Sequence, residues 1–333
     1  MNKKEIIDLL KSNDPNQLFH EANKVRKTSV GDKVHIRGII EFSNFCQRNC
    51  LYCVLRKSNQ NLIRYRLTSE EICQSVEKAI SYNYQTIVLQ SGEDEYFTLN
   101  LLVDLVKRIR RIYKGAITLS LGEMSFGELK QLKDAGADRY LLKFETSNKK
   151  LFEELKPDSH YDNRFECLRN LKKCGFQVGS GLMVGLPGQT LETLAEDLLT
   201  LKKFDFDMIG IGPFIAHPNT PLAGAANGTL ELTLKVLALA RIISNRSNIP
   251  ATTAIGTIDS YGRQLALKCG ANVIMPNLTP QKYRKLYEIY PDKICINEDA
   301  NNCYSCVQDL VASVGRTISE DRGDSLRFCS RRV

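Results

Sequence analysis

From Val34 onward the chain alternates short β-prone runs with longer amphipathic ones, and this rhythm leaves few folds open. The runs fall at 34–42, 86–90, 116–121, 139–144, 177–184, 208–211, 251–255 and 273–275, eight in all. The segments between them open on helix caps. At Thr68-Ser69-Glu70-Glu71 a hydroxyl can hold free backbone donors while Glu71 reciprocates. Eight strand–helix units predict an α/β protein, a full (β/α)8 TIM barrel, and ~250 residues of this fold use most of a 333-residue chain. Two helices, at 3–11 and 14–26, precede the first strand and are expected to cover one end of the barrel. The expected division is an N-terminal helical extension at 1–33, the barrel at 34–290 and a cysteine-containing tail at 291–333.

The first strand runs directly into Cys46-Gln47-Arg48-Asn49-Cys50-Leu51-Tyr52-Cys53. This is the carboxyl end of a barrel strand, where enzymes of this fold carry their chemistry. Three thiols at spacings of four and three can hold three irons of a 4Fe–4S cube, whereas a tetrahedral metal asks for four ligands. The open iron can be chelated by the amino nitrogen and carboxylate of S-adenosylmethionine, which places its sulfonium beside a one-electron donor. Tyr52, just before the last cysteine, is the usual neighbour in loops of the radical SAM type. The alternative is a zinc knuckle short of its fourth ligand.

Polar residues at the other strand ends are the remaining site candidates. Ser91, Gly92 and Glu93 follow the second run; a glycine beside an acid lets backbone approach a ligand closely, and carbonyls there can accept from an amino group. Thr118 and Ser120 share one face of their strand, as do Lys143 and Glu145 of the next. Buried charge needs a partner, so Lys143 and Glu145 either pair or face a polar ligand, and the ligand is the preferred reading. Arg164 could make a bidentate contact to the cofactor's carboxylate or could sit on the surface. The glycines at 179, 181, 185 and 188 are expected to let backbone lie against a flat nucleoside, with Gly185 among the cofactor contacts. No Walker lysine accompanies them, which disfavours ATP. Thr252 and Thr253 are candidates to line the cavity.

Taken together, the cysteine loop, Leu-Gln-Ser-Gly-Glu-Asp at 89–94, Val-Gly-Leu-Pro-Gly-Gln-Thr at 184–190, Ile-Gly-Ile-Gly-Pro-Phe at 209–214 with His217-Pro218, Pro-Ala-Thr-Thr-Ala at 250–254 and Cys-Gly-Ala-Asn-Val-Ile-Met-Pro at 269–276 resemble the HydE family of FeFe-hydrogenase maturases. That radical SAM group is related to biotin synthase and methylornithine synthase, and the resemblance covers about residues 35 to 306. It implies a full barrel, a 4Fe–4S cluster on Cys46, Cys50 and Cys53, S-adenosyl-L-methionine held in part by Glu145 and Arg164, and Tyr287 at the substrate cavity. It further implies assembly of the hydrogenase di-iron subcluster, with a radical attacking the cysteine sulfur of an iron carbonyl–cyanide complex. In the tail, Cys295, Cys303 and Cys306 resemble the accessory iron–sulfur site, of the 2Fe–2S kind, found in some members. Two departures bear on this. Val54 stands where glycine is common, and Lys143-Phe144-Glu145 stands in place of an Arg-His-Glu run, where lysine cannot reproduce an arginine fork.

Sulfur insertion of the biotin synthase kind would need further cysteines inside the barrel, but Cys73, Cys167, Cys174 and Cys269 fall on helical segments or their ends. A methylornithine synthase-like mutase shares fold and cofactor and is the leading enzymatic alternative. A non-catalytic iron–sulfur carrier or scaffold is the alternative from another class. Eleven cysteines, six of them in two metal-like groups, argue for a reducing cytoplasm and for anaerobic conditions rather than a disulfide framework. No apolar run reaches the ~18 residues of a membrane span. The net charge of +8 is concentrated at Lys107, Arg108, Arg110, Arg111 and Lys114, which reads as a solvated helix face; no RNA-binding module accompanies it, so nucleic acid is not the expected partner. Positive surface suits an acidic electron donor such as flavodoxin or ferredoxin, and other hydrogenase maturases are further expected partners.

Overall fold

The computed structural model describes residues 1–297 and 300–330. Its strands are β1 (Lys33–Ile36), β2 (Gly38–Ser43), β3 (Thr86–Ser91), β4 (Ala116–Ser120), β5 (Arg139–Leu141), β6 (Gln177–Val184), β7 (Met208–Pro213), β8 (Val273–Ile274) and β9 (Thr317–Ile318). β2 to β7 form a six-stranded sheet in sequence order, every pair parallel. A second parallel sheet runs β8-β1-β9. Helices cross between consecutive strands, so the inner strands are covered on both faces and read as continuous apolar runs, Ile87, Val88 and Leu89 being almost wholly buried.

Single parallel bridges extend both sheets. Ile39 pairs with Asn277, Met208 with Asn248, and Pro250 with Val273. Backbone bonds at 2.9 Å accompany them, from Ile39 N to Pro276 O, Ile209 N to Asn248 O and Ala251 N to Val273 O.

Two strand readings need correction. The first run is split at Arg37 into β1 and β2, one pairing with β8 and the other with β3. The run at 251–255 is not a strand: Thr252 is an extended N-cap and Thr253–Ile258 is helical. β-Branched threonines suggested a strand, but pairing stops at the two bridges before them, and tertiary context overrides a weak propensity. The capping box at Thr68 forms, Thr68 Oγ1 accepting from Glu71 N at 3.2 Å and Glu71 Oε2 from Thr68 N at 3.0 Å. The helices Lys3–Lys11 and Asn16–Val30 pack against the outer helices Leu191–Phe204 and Leu230–Ile243 rather than standing over a barrel end.

The tail returns to the amino ends of the strands. β9 pairs with β1, and residues beyond it fill the base of the sheet: Arg322 O and Asp324 Oδ1 accept from the fully buried Arg139 at 2.6 and 2.8 Å, and Gly323 O accepts from Asn248 Nδ2 at 3.0 Å. Asp324 Oδ1 also accepts from Gln177 Nε2 at 2.6 Å. The opposite end of the strands is left to the cysteine loop.

Candidate active site

The cysteine loop leaves β2 and is pinned on three sides. Gln47 N donates to Glu93 O at 2.9 Å, Leu51 N to Leu155 O at 2.8 Å, and Asn44 Nδ2 to Ile63 O and Leu286 O at 2.8 Å. Gly92 is required by the fit: a Cβ there would stand 2.1 Å from the Phe45 carbonyl oxygen and 2.7 Å from Cys46 Cβ. All three cysteines are, as residues, partly exposed. Burial pushes Cys46 and Cys53 above the ordinary thiol value, and Cys50 raises both further, so the three sulfurs sense one another. Among the described residues no three Cys, His, Asp or Glu side chains converge on a single ion. A cubane takes one thiolate per iron and does not ask for that convergence, so the donor set fits a 4Fe–4S cluster.

Around this loop the strand ends carry a network of charge. Arg48 Nε lies 2.6 Å from Glu93 Oε2, and Arg164 Nε 2.7 Å from Glu123 Oε1. Longer contacts cross-link the pairs, Arg48 to Glu123 at 3.8 Å and Arg164 to Glu93 at 3.9 Å. Arg164 is buried, which removes its surface reading, and its Nη1 donates to Lys143 O at 3.2 Å. Glu123 comes this close because Gly122 holds φ +89° and a Cβ there would meet Glu93 Cγ at 2.0 Å.

Lys143 and Glu145 pair with each other at 2.9 Å, where the sequence favoured a ligand. Glu145 is nevertheless unusual. It sits at φ +65°, fixed by bonds from its N to Gly181 O and from Met183 N to its O, and its buried Oε2 is the oxygen that faces Lys143 Nζ. A non-glycine residue in that region is strained by about 1–3 kcal/mol, and such strain clusters at functional sites. Thr118 Oγ1 is buried and unbonded, while Ser120, two residues on, is partly exposed at the strand end. The unbonded Thr118 oxygen fits a polar ligand such as S-adenosylmethionine. Ser91 turns its hydroxyl onto Gly92 O at 2.7 Å.

A Cβ on Gly181, in β6, would meet Gly210 O at 1.9 Å, and one on Gly185, just after that strand, would meet Gly228 Cα at 2.3 Å, so both positions admit close contact between backbone segments of this chain. Gly185 N donates to Gln189 Oε1 at 2.7 Å. Thr252 Oγ1 donates to Ile211 O at 3.3 Å, and Thr253 begins the following helix. Tyr287 is buried, and its hydroxyl accepts from Gln90 Nε2 at 3.4 Å. Burial pushes its phenol well above the ordinary value, and the charge of Glu41 and the thiols Cys53 and Cys46 add to this. In the tail Cys303 is buried, Cys306 exposed, and Cys295 partly exposed at φ +66°.

Three residues of this region were not singled out in the sequence: Arg48, Glu123 and Lys156. Glu123 had a signal, since Gly122-Glu123 follows β4 much as Gly92-Glu93 follows β3. Lys156 closes the helix Lys149–Leu155 and is buried. Burial holds its ammonium below the ordinary lysine value, Arg164 lowers it further, and Cys50, Glu145 and Glu93 oppose this.

The Radical SAM superfamily profile matches residues 40–201. The [FeFe] hydrogenase maturase subunit HydE of Thermotoga maritima is 53% identical over 310 residues, 93% of this chain and 89% of the relative. The 3-methylornithine synthase of Methanosarcina acetivorans is 28% identical over 271 residues, 81% of this chain and 76% of the relative. A crystal structure of methylornithine synthase superposes with a TM-score of 0.82 at 25% identity, covering 96% of this chain and 94% of that one. With its cysteine loop, the acids and glycines that brace it, and more than half of the aligned residues shared with a maturase along nearly the whole length, the chain belongs to the HydE family of [FeFe]-hydrogenase maturases within the radical SAM superfamily.

Proposed function

We propose that this chain is the radical SAM enzyme that acts on a small organometallic substrate, an iron carbonyl–cyanide complex of cysteine, during assembly of the hydrogenase di-iron subcluster. The observation that carries the reading is the 53% identity to HydE, well above the 28% shared with a 3-methylornithine synthase that would support a mutase. When bound, the 4Fe–4S cluster supplies an electron to the sulfonium of S-adenosylmethionine, which yields a 5'-deoxyadenosyl radical.

The residues divide the remaining work. Cys46, Cys50 and Cys53 hold the cluster. Glu93 and the carbonyls of Ser91 and Gly92 accept from the methionyl ammonium, while Arg164 orders the acids around it. Glu145, ion-paired with Lys143 through one oxygen, accepts from a cofactor hydroxyl with the other. Thr118, Ser120, Lys143, Thr252 and Tyr287 face the substrate, with Thr253 at the start of the adjoining helix. Gly185 lets backbone approach the cofactor closely. The single bridges between the two sheets support a closed (β/α)8 barrel at 34–290, with 1–33 as its helical extension and 291–333 as its tail.

In the tail, Cys295, Cys303 and Cys306 hold an accessory 2Fe–2S cluster, whose fourth ligand comes from elsewhere. An acidic flavodoxin or ferredoxin approaches beside Cys46, where a cleft of about 270 Å3 is lined in part by Lys57 and Arg64. The protein works in the cytoplasm with the other hydrogenase maturases; no helix among the described residues is long and apolar enough to cross a membrane. Reductant-dependent formation of 5'-deoxyadenosine by the anaerobically reconstituted protein tests the enzymatic reading. A carrier would hold the cluster and form none.

A further inference from the structure

At the amino ends of β1 and β9, away from the cysteine loop, a cavity of about 240 Å3 opens between the helix Asn16–Val30, the helix Gly262–Lys268 and the turn before β9. Asp32 and Arg316, each one residue before its strand, meet there. Arg26, Lys27, Lys268 and Arg316 bring four positive charges to the wall, and Asp32 is the one acid among the lining residues. Asp32 answers Arg26 at 2.7 Å and Lys27 at 3.6 Å, but its side chain is 51% exposed, and an ion pair open to water contributes little.

Two of these cations are buried, Arg26 at 3% and Arg316 at 8% exposure, and the wholly buried Arg241 stands close enough to feel both. Backbone carbonyls hold the guanidinium planes: Gly31 O accepts from Arg26 Nη1 at 2.7 Å, Asp32 O from Arg316 Nε at 2.8 Å, and Ala271 O from Arg316 Nη1 at 2.8 Å. Such acceptors orient a guanidinium without neutralising it. Burial, with the charge of Arg26 added, pulls Arg316 down to about 10 and Arg241 to about 9. Donors are left over as well. Among the described residues Arg26 and Arg316 each keep one Nη2 hydrogen without an acceptor, and neither Asn23 Nδ2 nor Lys268 Nζ has a partner.

We infer that this cavity binds a small, multiply charged oxyanion of the phosphate class, with Arg26, Arg316, Lys27 and Lys268 supplying charge and Asn23 a neutral donor. A single carboxylate is already present as Asp32 and leaves three of the four positive charges unmatched, so a doubly charged group suits the wall better than a second carboxylate. The guanidinium forks match tetrahedral oxyanions in geometry. Because its wall joins the turn before β9 to two helices, the bound anion also ties the returning tail to the body of the fold.

The test uses inorganic phosphate and sulfate on cluster-loaded protein, with acetate and chloride compared at matched ionic strength. Saturating S-adenosylmethionine keeps the probe off the open iron. Calorimetry is expected to show saturable binding of phosphate and sulfate, and thermal unfolding a raised midpoint, with neither effect from acetate or chloride. Arg316 holds four carbonyls, so its replacement would mix folding with binding; the exposed Lys27 and Lys268 are changed instead. Lys27→Ala combined with Lys268→Ala is expected to weaken phosphate about fivefold or more while 5'-deoxyadenosine formation stays at the wild-type rate. Phosphate bound no better than chloride overturns the inference, as does an unchanged affinity in the double variant, which would put the anion elsewhere. Acetate bound as tightly as phosphate overturns the assignment to the phosphate class.

Discussion

Arg164 Nε stands 2.7 Å from Glu123 Oε1, and both side chains are nearly withdrawn from water, at 5% and 13% exposure. The pair joins the helix Tyr161–Lys173 to the loop after β4. Through Arg48 and Glu93 it continues to the cysteine loop, so the loop and the acids at the ends of β3 and β4 share one charged frame.

Replacing Glu123 by Gln removes the negative charge from that frame and leaves Arg164 with the more distant Glu93. The expected cost is about 1–3 kcal/mol of stability, with weaker S-adenosylmethionine binding at unchanged iron content. Chemical denaturation and calorimetry check this. Unchanged values on both would make the pair incidental.

Gly92→Ala places a methyl against the Phe45 carbonyl and Cys46, where backbone must move to admit it. The expected outcome is a loss of about 1–3 kcal/mol and a reconstituted cluster content well below wild type, read from iron, sulfide and the visible spectrum. A normal cluster would show that the loop moves aside cheaply.

The parallel strand–helix order and the place of the cysteine loop at a strand's carboxyl end were legible in the sequence because each rests on local pattern. Alternating runs announce strands, and a three-thiol spacing announces its cluster. What was not legible depends on pairing across the fold. Nothing at 251–255 says that its threonines turn into a helix. The glycines 181 and 185 give no sign in the sequence of the backbone at Gly210 and Gly228 that lies against them. Lys143 and Glu145 could be seen to share a face, but not that they close on each other. Lys156 stands in a helix-end setting that solvent-exposed lysines also occupy, so its burial is not announced by its neighbours in sequence.

At the other end of the strands, Asp324 sustains Arg139, which is wholly buried. Burial alone would raise the Asp324 carboxyl, but Arg139, Gln177 and Arg322 together hold it below the ordinary aspartate value of 3.8. A carboxylate depressed in the folded state adds stability that is complete above its unfolded value and is lost as pH falls through its folded one. Asp324→Asn is therefore expected to lower stability at neutral pH and to shallow the fall in stability below about pH 4. Parallel acid limbs in variant and wild type would contradict this.

Exchanging Cys295, Cys303 and Cys306 together for serine should remove any accessory cluster and leave 5'-deoxyadenosine formation nearly intact, because the first cluster keeps all three of its thiols. Some stability is expected to go with the second cluster, since metal binding contributes to folding. Turnover at matched iron content is the measurement. A collapse with the first cluster intact would make the tail an electron relay.

The central claim is tested most directly by supplying the substrate it names. Anaerobically reconstituted protein is mixed with S-adenosylmethionine, a low-potential reductant and a synthetic iron carbonyl–cyanide complex of cysteine, and the products are followed by mass spectrometry. The expected result is an adenosylated product carrying the cysteine sulfur, formed only with reductant and lost in Cys50→Ala. Protein with a full cluster that cleaves S-adenosylmethionine yet never adenosylates this complex would contradict the account.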